Sequence, residues 1–126
     1  MKIRIKDASI RMRLSKTDIE TLYTKGEVVA ECRFGTESVF KYSISAKDKG
    51  NEDTICVFLE GSHIKVEISK NDAQQWHETD LEGFDAEMDN DTPDGLYLLL
   101  EKDWKCMVDR DEDESDLYPN PNEEEE

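Results

Sequence analysis

Ser9-Ile10-Arg11-Met12-Arg13-Leu14-Ser15-Lys16-Thr17-Asp18 returns 54 positions later as His63-Ile64-Lys65-Val66-Glu67-Ile68-Ser69-Lys70-Asn71-Asp72. In both stretches an apolar residue alternates with a polar or charged one, the period of a strand buried on one face. In both, the alternation ends on a serine followed three residues later by an aspartate. The serine hydroxyl can accept a backbone N–H as an N-cap, and the aspartate suits the positive end of a helix. Each copy therefore reads as a strand running directly into a helix.

The likeness spreads outward from this core. Met1–Lys25 matches Ile55–Thr79 without a gap, so that Ile3 and Ile5 fall on Val57 and Leu59. Further on, the offset drifts by a residue or two. Ala30-Glu31-Cys32 meets Ala86-Glu87-Met88, and Tyr42 to Asp48 meets Tyr97 to Asp103. Ile19, Leu22 and Tyr23 lie at i, i+3 and i+4 on one helix face, as do Ala73, Trp76 and His77 on the other. Gly26 supplies a left-handed stop. Val28-Ala30-Cys32-Phe34 and Phe40-Tyr42-Ile44-Ala46 then give two strands, repeated by Phe84-Ala86-Met88 and Tyr97-Leu99. The fold class expected is α+β: two ββαββ repeats with about eight antiparallel strands and two short helices. A sheet of that width seldom stays open and flat, so it should curve or close into a barrel.

A chain of 126 residues fits one domain. Its 32 acidic against 16 basic residues give a net charge of −16, unevenly spread. Residues 1–70 are close to neutral, whereas residues 71–108 and 109–126 are each strongly acidic. The segment 109–126 combines a like-charge run with two prolines and has little to bury, so it reads as a disordered acidic tail behind a domain of residues 1–108. No apolar run approaches the ~18 residues of a membrane span. Met1 to Lys6 alternates charge with aliphatic residues, unlike a signal peptide. Cys32, Cys56 and Cys106 are odd in number and widely spaced, which suits reduced thiols in a cytoplasmic protein.

The opening Met1-Lys2-Ile3-Arg4-Ile5-Lys6, then Ser9 to Leu14, then Glu101-Lys102-Asp103-Trp104-Lys105-Cys106 and the closing Tyr118-Pro119-Asn120-Pro121 carry a resemblance over nearly the whole chain. Together they resemble a family of small, functionally uncharacterised bacterial proteins. That resemblance implies no catalytic residue at any position.

With Tyr97 and Leu99 taken as the core stripe of the last strand, Leu96, Leu98 and Leu100 fall on its outer face. The sister strand gives that face to Lys41, Ser43 and Ser45. An apolar strand of this kind needs cover on both sides, from the chain itself, a protein partner or a second copy. Phe58, Leu96, Leu98 and Leu100, with Leu117 and Tyr118 of the tail, form the expected interaction surface. The function expected is a small non-enzymatic binding or regulatory module with a protein partner or a homodimer. The alternative is a small enzyme or ligand-binding protein with a pocket between the repeats, using His63, Asp72, His77 or Cys106.

Other chemistry has weaker support. No Cys-x-x-Cys pair offers zinc spacing, so no metal or cofactor is expected. Gly95 and Glu101 have the spacing of a calcium loop, but Asn90 and Thr92 stand at its first and third positions. A turn over Asp89–Gly95 explains the same residues. Lys2, Arg4, Lys6, Arg11 and Arg13 share the outer face of one hairpin. A chain of this net charge repels phosphate beyond a Debye length of about 8 Å, and no aromatic residue interleaves the basic ones. Neutralisation by acids such as Asp85 and Glu87 is expected instead, with neither a nucleic-acid nor a membrane partner.

Overall fold

The chain is described by a computed structural model covering residues 1–49, 55–104 and 118. The rest of the expected tail, with Leu117, and also Cys106 at the end of the expected domain, lie outside the described residues. Among the described residues ten elements follow in order: β1 (Lys2–Lys6), β2 (Ser9–Leu14), α1 (Lys16–Lys25), β3 (Glu27–Arg33), β4 (Val39–Lys47), β5 (Cys56–Glu60), β6 (His63–Ser69), α2 (Lys70–Glu78), β7 (Gly83–Met88) and β8 (Leu96–Lys102). The α+β class and the two ββαββ units stand as the sequence predicts.

The caps also fall where expected. Ser15 and Ser69 each accept the backbone N–H of the aspartate three residues on, and Gly26 ends α1 in the left-handed region at φ 82°. Asp18 closes a capping box by accepting from the Ser15 backbone, and it also meets the Met1 ammonium at 2.8 Å. Burial raises the Asp18 carboxyl, but hydrogen bonds from the N-terminal ammonium and from Ser15 outweigh it, and the pKa lies below the ordinary value.

The eight strands form two four-stranded sheets, in the orders β1-β2-β8-β7 and β3-β4-β6-β5, and neither closes into a barrel. Each sheet joins the first hairpin of one repeat to the second hairpin of the other. Exchanging the repeats turns β1-β2-β8-β7 into β5-β6-β4-β3, which is the second sheet read backwards. The two halves are thus interleaved, and each sheet is half of each repeat. At its centre a sheet pairs strands from different repeats, β2 with β8 and β4 with β6. No hairpin connects these strands, and both pairs run parallel, whereas the four hairpin pairs run antiparallel.

One core gathers the inner faces of both sheets and the inward sides of both helices. Met12, Leu14, Ile44, Val66, Ile68, Leu22 and Trp76 are all fully or almost fully buried. Leu98 and Leu100 are also at 0% exposure. This corrects the expected outer leucine face. Ile10 and Met12 on β2 pair with Leu98 and Leu100, while Ile64 and Val66 on β6 pair with Tyr42 and Ile44. The repeat offset at the last strand is therefore 56, not 55. Because side chains alternate with period two, a slip of one residue exchanges the faces. Tyr97, Leu99 and Glu101 are the outward residues, and Leu96 packs partly against the core.

Candidate functional site

Both helices start where a central strand ends, so α1 and α2 lie at the same end of the two sheets and pack against one another. The chain then passes β8 and reaches Trp104 beside them. Between the start of α1, the end of α2 and the end of β8 lies a cleft of about 410 Å³. This is within the size range of small-molecule sites, roughly 300–1,000 Å³.

Its floor is apolar: Leu14, Ile19 and Trp76, each belonging to the core. Trp76 is held in place by an edge-on contact with Phe84 and by its indole N–H, which donates to the Glu82 carbonyl at 3.1 Å. One rim is the first turns of α1, with Lys16 and Glu20. The opposite rim is His77 near the end of α2 and Asp80 just beyond it. The third side is Lys102, Asp103 and Trp104. The Asp103 backbone N–H donates to the Leu14 carbonyl at 2.8 Å, extending the β2–β8 pairing into the cleft wall. The Trp104 ring is 58% exposed, with the Lys102 ammonium 5.9 Å from its centre.

Several polar groups of this wall already hold structural partners. Lys102 donates to the Thr79 carbonyl at 2.8 Å, and Asp103 pairs with Lys2 at 2.9 Å. The cleft therefore offers an apolar floor, an exposed indole and a rim carrying both signs of charge.

Repeat symmetry does not explain its lining. At the matching positions of the other repeat, Trp104 is replaced by Asp48, Lys102 by Ala46 and Glu20 by Gln74. A ring wall at one end only is not a requirement of the duplicated fold.

Of the described residues named from sequence for a pocket, His77 lines the cleft and His63 and Asp72 lie elsewhere, while Cys106 lies outside the described residues. His77 also stacks on Tyr23. Asp72 is buried in the first turn of α2, where its backbone bonds the Ser69 cap. His63 opens β6 at the end away from α2, and its Nε2 lies 2.8 Å from the Ser43 hydroxyl. That contact satisfies a buried serine on the outer sheet face. Phe58 is exposed on β5, and Tyr118 is exposed as well.

Glu101 is a neutralising acid of the basic hairpin that the sequence reading did not name. Glu101 meets Arg13 at 2.9 Å and Arg11 at 3.3 Å across the parallel pair. Asp85 accepts from the Tyr97 hydroxyl at 3.3 Å, and burial together with that carboxylate raises the Tyr97 pKa. Because Glu101 points to these arginines on the sheet face, it does not serve the Asp89–Gly95 turn.

Trp104, Lys16 and Glu20 were missed by sequence reasoning. The one signal in the sequence was for Trp104, an aromatic residue set just after the apolar last strand; Lys16 and Glu20 gave none.

A family model described as a family of unknown function (DUF7009) matches residues 1–122, and the chain belongs to that family. No curated protein and no solved structure matches the chain.

Proposed function

We propose that this family member is a small non-enzymatic binding module, and that the cleft between its two helices is the ligand site. The ligand suited to it is a small molecule with a flat apolar body and a polar edge. The observation that carries this reading is the exposed Trp104, which lines the same cleft as the buried apolar Leu14, Ile19 and Trp76. An exposed indole beside a buried apolar floor offers a stacking surface, and stacking needs no charge of one sign. Binding is favoured over catalysis because Lys102 and Asp103 are tied to Thr79 and Lys2. The reading includes a cytoplasmic location, supported by Cys32 and Cys56 as free thiols. No helix among the described residues is long and apolar enough to cross a membrane.

Both tryptophans line the cleft, so emission excited selectively at tryptophan rather than at the four tyrosines reports on it. Titration with indole-type and nucleobase-type probes should quench or shift the emission saturably. Trp104→Ala should remove the response while leaving the fold intact, as judged by circular dichroism. If every probe class leaves the emission unchanged, the cleft is not a site for this ligand class.

A further inference from the structure

Four strands form the free edges of the two sheets: β1, β7, β3 and β5. Three carry charges along their length. Lys2, Arg4 and Lys6 stand on β1, Glu27, Glu31 and Arg33 on β3, and Asp85 and Glu87 on β7. Charged edges discourage pairing with another chain. β5 differs, because Cys56-Val57-Phe58-Leu59 runs without a charge until Glu60. Phe58 is 46% exposed on one face and Leu59 is 71% exposed on the other. At the equivalent point of the first repeat, Phe58 is replaced by Arg4.

We propose that β5 is a self-pairing edge, through which two copies of this chain join antiparallel about Phe58 into one continuous eight-stranded sheet. The backbone register supports this occupant. Glu60 and His63 flank the two-residue turn Gly61-Ser62. Such a flanking pair exchanges both backbone hydrogen bonds. By period two, Phe58 and Cys56 also face β6, while Val57 and Leu59 turn their N–H and C=O groups to the free edge. A two-fold axis at Phe58 sets Val57 opposite Leu59 of the second copy. Both residues present outward groups, so the pair closes. The two Phe58 rings then face each other at a non-hydrogen-bonded site, where side chains approach most closely.

The same axis sets Cys56 opposite Glu60 of the second copy, and Glu60 is already paired with Lys65 of its own chain at 2.7 Å, so no unpaired carboxylate is brought to the pairing edge. The net charge of −16 per chain opposes approach, but beyond about 8 Å it is screened at physiological salt. A five-residue edge is a small interface, so the dimer should be weak and concentration-dependent.

Sedimentation equilibrium on the full chain at physiological salt, over a wide concentration range, reads this directly. The wild type should shift from monomer to dimer. Leu59→Lys should weaken association by about tenfold or more, since it places a charge in the pairing edge. Its exposed position leaves the fold unharmed. With Cys32, Cys56 and Cys106 changed to Ser, Phe58→Cys should form a disulfide-linked dimer under diamide, and Arg4→Cys on β1 should not. A wild type that stays monomeric at every concentration overturns the proposal. So does a dimer that Leu59→Lys leaves unchanged, or equal cross-linking by Phe58→Cys and Arg4→Cys.

Discussion

Tyr23 and His77 occupy equivalent positions of the two repeats, and their rings stack on each other, with centres 4.5 Å apart and planes 10° from parallel. Equivalent residues meet in this way only where the relation between the halves passes between them. The two helices thus face each other across the junction that the interleaved sheets create.

The first prediction concerns this pair. Tyr23→Ala and His77→Ala should each destabilise the fold modestly, with a coupling of about 0.5–1.5 kcal/mol in a double-mutant cycle. Denaturant melts of the four proteins measure it. Strict additivity would mean that the stack contributes nothing.

The last strand supplies the second. Leu98 faces the core at 0% exposure, so Leu98→Glu should bury an unpaired charge and cost about 4 kcal/mol or more. Leu100→Ala should cost about 2–5 kcal/mol through the cavity it leaves. Leu99→Ala, on the outer face, should cost less than either. Thermal melts would rank the three, and a folded, fully stable Leu98→Glu would put the strand register in error.

Most of the fold was legible because strand and helix periods, serine caps and the Gly26 stop are local features with local causes. The apolar stripe of Ile10, Met12 and Leu14, and its repeat in Ile64, Val66 and Ile68, predicted burial correctly. What the pattern could not fix was the last strand. Leu96 to Leu100 is apolar at every second position on either reading, so alternation carries no information there. The likeness of Tyr97 to Tyr42, and of Lys102-Asp103 to Lys47-Asp48, favoured the wrong offset. Interleaving was also invisible, since the same strands satisfy their patterns in one sheet or in two. The cleft was legible only through His77. Its other walls come from segments distant in sequence, brought together by the β2–β8 pairing.

Acid stability gives the third. The Asp18 pKa is lowered in the folded chain, so its contribution is fully present above the unfolded value of about 3.9 and fades as pH falls through the folded value. Asp18→Asn should therefore be less stable than the wild type at neutral pH, and the difference should shrink in acid. Ser15→Ala, which removes the other half of the box, should cost about 1 kcal/mol. Melts recorded between neutral and strongly acidic pH test both. A gap between wild type and Asp18→Asn that widens in acid would contradict the sign.

Glycines give the fourth. A Cβ at Gly83 would overlap the Leu100 carbonyl and come within 2.8 Å of the Glu101 Cα, whereas one at Gly35 meets nothing within 4 Å. Gly83→Ala should force β7 away from β8 and cost about 1–3 kcal/mol, and Gly35→Ala should be close to neutral. Comparison of the two denaturation midpoints decides it.

The central claim is that the inter-helix cleft takes a small flat ligand. Its most direct test is a two-dimensional amide and indole spectrum of the labelled protein, titrated with a panel of aromatic and heteroaromatic fragments. The account predicts at least one fragment with saturable shifts confined to the Trp104 and Trp76 indoles, Lys16 to Glu20 and His77 to Asp80, all lost in Trp104→Ala. Saturable shifts that map elsewhere, or a panel that leaves the cleft unperturbed, would contradict it.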